Sequence, residues 1–97
     1  MEYLLVRFVK VESREVITGD GGQEKIIETL IIEKDRGLVV DGNNQGMTNK
    51  TIELEKGTHL IKLKSPPDDF KPNEIKVVLD NTSSLLPMEV YFEKVEL

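Results

Sequence analysis

The sequence predicts an all-β fold, a small antiparallel β-sandwich of seven or eight strands that is immunoglobulin-like or prealbumin-like. Short runs rich in Val, Ile, Leu and Thr recur at intervals of about 8–15 residues, and Gly, Pro, Asn and Asp separate them. Only three Phe and two Tyr occur in 97 residues, so the core must be mainly aliphatic. This length suits one domain, and no linker or internal repeat divides residues 1–97.

The first predicted strand covers residues 3–11. Its apolar side chains change parity along the run, from Leu4, Val6 and Phe8 to Val9 and Val11. Because successive strand residues point to opposite faces, this change indicates either a bulge near Phe8–Val9 or a strand covered on both faces. The run continues weakly through 15–17 into 18–22, where three glycines can supply the positive φ angles of a tight reversal.

The next segment, residues 24–34, fits two interpretations. Ile27, Leu30 and Ile31 have the i, i+3, i+4 spacing of an amphipathic helix. A strand is favoured, because the four Ile and one Thr are β-branched and lose rotamer freedom in a helix.

Three further strands are predicted in the middle of the chain: 38–40, 51–54 and 58–64. An Asn- and Gly-rich loop at 41–46 and a turn at 55–57 separate them. In the third of these strands, His59, Ile61 and Leu63 share one parity, which places them on the inward face.

Two strands complete the predicted sandwich, at 74–79 and 88–95. Both alternate apolar with polar side chains, as half-buried strands do. The segment before them, 65–72, contains three of the four prolines and is predicted as an irregular loop or an edge segment. The segment 80–84 is predicted as a loop.

Composition excludes several classes of function. The 13 basic residues are scattered among 18 acidic ones, giving a net charge of −5, which argues against nucleic acid and anionic membrane surfaces as partners. The longest apolar runs are far shorter than a membrane span, so no membrane insertion is expected. Without a visible signal peptide the compartment is unknown and cytoplasmic by default. No Cys is present, which removes disulfides, thiol nucleophiles and thiolate metal sites.

The middle of the chain resembles the PEGA domain, a small β-sandwich module of prokaryotic proteins. The resemblance rests on an apolar strand ending in Asp41–Gly42, the Gly46–Thr48 turn, and Leu54, Gly57 and His59 at the spacing of the family's Leu-x-x-Gly-x-His motif. It covers residues 38–63. The resemblance implies a non-catalytic module attached to larger surface or signalling proteins, with cell-envelope polysaccharide as a ligand.

Two features invite a chemical interpretation, and each has a structural alternative. His59 is the only imidazole; its inward parity favours a packed side chain hydrogen-bonded to a backbone carbonyl over a general base. The loop 41–46 partly matches a calcium-binding loop, but Ile52 stands where a bidentate Glu is required. An Asn-rich hairpin turn is the favoured interpretation, and no metal or cofactor is predicted.

The loop 65–73 holds the remaining candidates. Asp68 and Asp69 offer hard oxygen atoms, although solvated loop carboxylates are the favoured interpretation. Phe70 is the best candidate for an exposed aromatic on which a sugar stacks; the favoured alternative is that its ring folds back and caps the core.

The prediction is therefore a non-catalytic module, not an enzyme, that binds or tethers a protein or a cell-envelope polysaccharide through loops 41–49 and 65–73 or through an edge strand. The alternative is a structural subunit that assembles into a homo-oligomer. The predicted binding residues are Asp41, Asn43, Asn44, Thr48, Asp68, Asp69 and Phe70.

Overall fold

A computed structural model describes residues 1–19 and 22–96. It is an all-β sandwich of two sheets. One sheet has the order β2-β1-β9-β7, with β5 also paired to β1, and the other has the order β4-β3-β6-β8. The strands in the described part of the chain are β1 (Glu2–Thr18), β2 (Gln23–Ile32), β3 (Gly37–Val40), β4 (Asn43–Met47), β5 (Thr51–Leu54), β6 (Gly57–Leu63), β7 (Phe70–Lys71), β8 (Ile75–Leu79) and β9 (Met88–Lys94).

The sandwich prediction is confirmed, and so is the strand interpretation of residues 24–34, which lie mostly in β2. Two segments predicted as loops form the short strands β4 and β7. The sheets are not wholly antiparallel, because β9 pairs with β1 in the parallel direction. Parallel pairing between the first and last strands needs a long connection, which the seven intervening strands provide.

The core lies between the two sheets. It consists of aliphatic side chains with three Phe, as the composition requires. Its buried members are Leu4, Val6, Phe8, Leu38, Val40, Leu54, Ile61, Leu63, Phe70, Val77, Leu79 and Phe92. The inward face predicted for β6, with His59, Ile61 and Leu63, is the one observed. Burial also alternates along β8 and through Val90 and Phe92 of β9, as the predicted half-buried strands require.

The parity change in β1 reflects a strand covered on both faces. The register of β1 with β9 runs without a shift from Leu4 to Val9, so β1 has no bulge there. Phe8 lies in the core, whereas Val9 is 2% exposed although it points to the opposite face of the sheet. Strand β1 therefore buries apolar side chains on both faces at this point.

The predicted loop 41–46 is reduced to a two-residue turn. Asp41 and Gly42 have φ angles of 51° and 85°, and Val40 pairs directly with Asn43. Positive φ at both central residues is typical of a type I′ hairpin turn, whose twist matches that of the flanking strands. The rest of the segment joins β4, which has a register shift against β3 close to Gly46. Gly46 has a φ of 78°, and a Cβ there would lie 2.6 Å from the Ile52 Cγ2.

The second half of β1 and the whole of β2 form a hairpin that we call the arm, residues 10–32. Within the described residues, β2 pairs with β1 alone, and aliphatic side chains on both of its faces are exposed, so the arm has one layer where the rest of the molecule has two. It contributes to an elongated shape of 53 × 33 × 19 Å. The reversal predicted at 18–22 includes Asp20 and Gly21, which lie outside the described residues. On either side of them, Gly19 and Gly22 have positive φ angles.

A search of the described residues for a helix long and apolar enough to cross a membrane found none. The same part of the chain holds no group of three His, Cys, Asp or Glu side chains arranged to bind a metal ion.

Candidate functional site

The seven sequence-predicted binding residues do not form one site. The structure separates them to the two ends of β3. Beyond its last residue lie Asp41, Asn43 and Asn44; near its first residue lie Thr48, Asp69 and Phe70, with Asp68 in the adjacent loop.

Arg36, the residue before β3, organises the second group. Its Nε donates a hydrogen bond to the Lys64 carbonyl at 2.9 Å. Its other guanidinium nitrogens donate to the carboxylate of Asp69 and to the Pro67 carbonyl. Hydrogen bonding to the guanidinium holds the pKa of Asp69 below its ordinary value, because it stabilises the charged carboxylate. Asp69 is therefore engaged within the protein and holds the 65–73 loop against β3.

Two aromatic rings enclose the same guanidinium. The Arg36 Cζ lies 5.2 Å from the centroid of the Phe70 ring and 5.7 Å from that of Phe8, within the range of cation–π attraction. Phe70 is 8% exposed and packs edge-on against Phe92, with ring centroids 5.9 Å apart. Phe70 is therefore not an exposed platform for a sugar; its ring caps the core, which is the interpretation that the sequence favoured.

Thr48 is also internal. It is 0% exposed, and its hydroxyl accepts a hydrogen bond from the Arg36 backbone N–H at 2.7 Å. Its own N–H donates to the Arg36 carbonyl at 2.8 Å. These two hydrogen bonds satisfy both the N–H and the C=O of Arg36, which lies outside a regular strand. Thr48 therefore has a structural role rather than contact with a ligand.

At the other end of β3, Asp41 holds the strand to β6. One carboxylate oxygen accepts a hydrogen bond from the Leu60 N–H at 2.8 Å, and the other lies 2.7 Å from Nδ1 of His59. The His59 Nε2 lies 2.7 Å from the Glu55 carbonyl. The predicted hydrogen bond of His59 to a backbone carbonyl is confirmed, and both ring nitrogens are occupied. The imidazole therefore has no free nitrogen with which to act as a general base.

These contacts make stability depend on pH. Hydrogen bonds with Asp41 and the Glu55 carbonyl raise the pKa of His59 above its ordinary value of about 6.5. The Leu60 N–H, followed by His59, lowers the pKa of Asp41 below about 3.9. The His59 contribution is complete below its unfolded pKa and is lost as pH rises through its folded pKa. The Asp41 contribution is complete above its unfolded pKa and is lost as pH falls through its folded pKa.

We expect the melting temperature to fall as pH rises from about 6 through the folded pKa of His59, because the charged imidazole loses its proton. Melting curves across this range measure the effect, and the His59→Gln variant is the control, with a flatter profile. An NMR titration of the His59 ring gives the pKa directly. If the melting temperatures of the two proteins changed with pH in the same way, His59 would not be the group responsible for the pH dependence.

The other predicted residues lie at the surface. Asn43 and Asn44 are exposed in the edge strand β4. Asp68 accepts a hydrogen bond from the Ser65 hydroxyl and lies beside a groove of about 690 Å³. The groove is lined by Lys62, Leu63, Ser65, Asp68, Phe70, Asn73 and Glu74. Only a small part of Phe70 reaches this groove, so no aromatic platform is available in it.

The arm carries the largest group of exposed aliphatic side chains on regular structure. Ile26, Leu30 and Ile32 are 66%, 54% and 51% exposed and share one face of β2; Ile31, on the opposite face, is 40% exposed. Their partners on β1 follow the register Val9–Ile32 and Val11–Leu30. Large apolar patches are uncommon on monomeric surfaces and mark interaction sites.

At the base of the arm, this apolar surface becomes concave. A groove of about 490 Å³ lies on the outer face of the sheet, between the arm and the β7–β9 edge. Its lining is mainly apolar, with two charged side chains at the margin, and consists of Val9, Val11, Leu30, Lys71, Pro72, Tyr91 and Glu93. Tyr91 is 43% exposed and is the aromatic side chain available to a ligand here.

Sequence reasoning placed the site in loops 41–49 and 65–73 or at an unspecified edge strand, and it did not identify the arm. One signal for it was present: the apolar residues of segment 24–34 occupy both parities, as they do in β1. A strand that is apolar on both faces needs two covers. This pattern of apolar residues did not show that β2 lies at a sheet edge, where no neighbouring layer covers its two faces.

Comparison of the chain with protein-family models, with curated proteins and with solved structures found no match.

Proposed function

We propose that this protein is a non-catalytic binding module whose ligand is a β-strand of a protein chain, bound along the free edge and apolar face of the arm. The observation that carries this proposal is the exposure of four large aliphatic side chains on β2, a ten-residue edge strand whose outer edge has no partner in the described part of the chain. An edge strand presents unpaired N–H and C=O groups to which another strand can add, and its side chains supply further contacts.

A protein ligand is favoured over a polysaccharide by the chemistry of the surfaces. Sugar recognition needs polar groups around an exposed aromatic ring, whereas the groove at Tyr91 is mainly apolar. The PEGA resemblance remains a prediction, and its signature residues Asp41 and Thr48 are engaged in contacts within the chain. A non-catalytic role is supported by His59, whose two ring nitrogens are already bonded.

A site-specific cross-linker tests this proposal. Replacing Leu30 with a photoreactive phenylalanine derivative places the probe on the arm, and replacing Lys76 places it on the other sheet, in β8. After irradiation in cells, we expect protein adducts heavier than 11.0 kDa from position 30 and a much lower yield from position 76. Equal yields from both positions, or none from position 30, would contradict the assignment of the arm.

A further inference from the structure

We propose that the strand bound by the arm is β2 of a second copy of this chain, paired antiparallel about a two-fold axis at Thr29. This inference rests on the proposed function, because it names the partner of the same surface. A dimer of this kind is isologous, so one strand must be complementary to itself.

Strand β2 is the longest free edge in the described part of the chain. It has ten residues, compared with five in each of the edge strands β4 and β8 and two in β7. Residues 10–18 of β1 also have no partner on the β9 side among the described residues, but this edge carries charges at Lys10, Glu12, Arg14 and Glu15. Natural edges are protected by charges, Pro or bulges. The edge strand β4 has a register shift near Gly46, whereas Ile26–Ile32 contains one charged residue, Glu28, and no Pro. Such an edge is suited to strand addition.

The direction of the free backbone groups follows from the ladder with β1. The Glu33 N–H donates to the Phe8 carbonyl at 2.8 Å, continuing the β1–β2 register. In an antiparallel ladder, hydrogen-bonded residue pairs alternate with non-hydrogen-bonded pairs. Since Glu33 belongs to a hydrogen-bonded pair, the odd-numbered residues of β2 point their backbone groups toward β1. The even-numbered residues therefore point their N–H and C=O groups outward. Four of them, at positions 26, 28, 30 and 32, are available to a partner.

The sequence of β2 is self-complementary about Thr29. A two-fold axis perpendicular to the sheet through this residue places Ile26 opposite Ile32 and Ile27 opposite Ile31 of the other copy. It also places Lys25 opposite Glu33. Cross-strand pairs of β-branched residues and pairs of opposite charge stabilise a sheet. Thr–Thr pairs do the same, and in this register Thr29 lies opposite Thr29 of the other copy.

A two-fold axis placed at either neighbouring residue does not make β2 complementary to itself. An axis at Glu28 places two carboxylates directly opposite each other, which is destabilising. An axis at Leu30 places Ile27 opposite Glu33 and Glu28 opposite Ile32. In the Thr29 register, Glu28 lies opposite Leu30, and the outward backbone groups of the two copies form about eight hydrogen bonds.

A single cysteine at the axis tests the register, because the chain has no Cys of its own. Thr29 forms a non-bonded pair with its copy, in which Cα atoms are about 4.5 Å apart, within the range of a disulfide. We expect Thr29→Cys to oxidise to a covalent dimer rapidly and almost completely. The matched control is Ser13→Cys on β1. Ser13 pairs with Glu28 and lies one strand away from the proposed contact between the two copies, so this variant should stay largely monomeric.

Molar mass measured by light scattering tests the dimer itself, with an expected value of twice 11.0 kDa at micromolar concentration. Glu28→Pro removes an outward N–H without breaking the ladder to β1, so it should raise the dissociation constant at least about tenfold. Glu28→Ala is the control and should remain dimeric. Circular dichroism verifies that both variants are folded.

Three results would overturn the inference: a mass of 11.0 kDa even at millimolar concentration, equal oxidation of the two Cys variants, or a dimer that Glu28→Pro does not weaken. A monomer whose position-30 probe still captures a different chain would leave the proposed function intact and refute the second copy as partner. A monomer whose probe captures nothing would refute both.

Discussion

Replacing Arg36 with Ala is expected to lower the free energy of unfolding by about 3 kcal/mol, a large fraction of the stability of a domain this size. The Arg36 side chain is 14% exposed, and its guanidinium makes an ion pair with Asp69. It also donates hydrogen bonds to the carbonyls of Lys64 and Pro67 and lies between two aromatic rings. Each hydrogen bond to a charged group contributes about 1.5–3 kcal/mol, and the contributions are not additive.

Urea unfolding followed by far-ultraviolet circular dichroism measures this loss. The control is Arg36→Lys, which keeps the charge but lacks the planar fork that reaches several acceptors at once. We expect it to recover less than half of the lost stability. If Arg36→Ala and Arg36→Lys were both as stable as the unmodified protein, the 65–73 loop would be held by other contacts.

Asn49→Ala is expected to have a comparable effect, also about 3 kcal/mol. Asn49 fills a gap along the edge of β1 between its partners β5 and β2. Its side-chain oxygen accepts a hydrogen bond from the Phe8 N–H at 3.2 Å, and its Nδ2 donates to the Glu33 carbonyl at 3.0 Å. Its backbone N–H donates to the Val6 carbonyl at 2.7 Å. Truncation removes the two side-chain bonds and a third from Nδ2 to the Asp35 carboxylate at 3.2 Å. The loss of a partner for a backbone group costs about 1–3 kcal/mol.

A second cause adds to the effect, since Asn49 has a φ of 65°. Asn tolerates this left-handed conformation better than Ala, which is strained there. Asn49→Gly separates the two causes, because it removes the side chain while permitting the backbone angle. We expect Asn49→Gly to be about 1 kcal/mol more stable than Asn49→Ala in thermal and urea unfolding. Equal losses would assign the whole effect to the side-chain hydrogen bonds.

The candidate surfaces were only partly predictable. The Asp41–Gly42 pair predicted a turn, because Asp-Gly favours positive φ at two successive residues, and both residues have positive φ in the structure. The contacts of Asp41 with His59 and Leu60 were not foreseen, because they join residues 18 and 19 positions apart across two strands. The position of Phe70 over the core was the favoured interpretation, but the contact that causes it was not foreseen for the same reason: Arg36, far earlier in the chain, holds this Pro- and Asp-rich loop against the core.

What the sequence determined by itself is most of the strands and their inward faces, because alternation, β-branching and turn residues act between near neighbours. The short strands β4 and β7, which lack these signals, were predicted as loops. The tertiary structure alone decided which strands are neighbours: β9 parallel to β1, β5 and β2 sharing one edge of β1, and Asn49 between them. It also left β2 without an outer partner. Strand order depends on packing between residues far apart in the chain, and no local pattern encodes that partner choice.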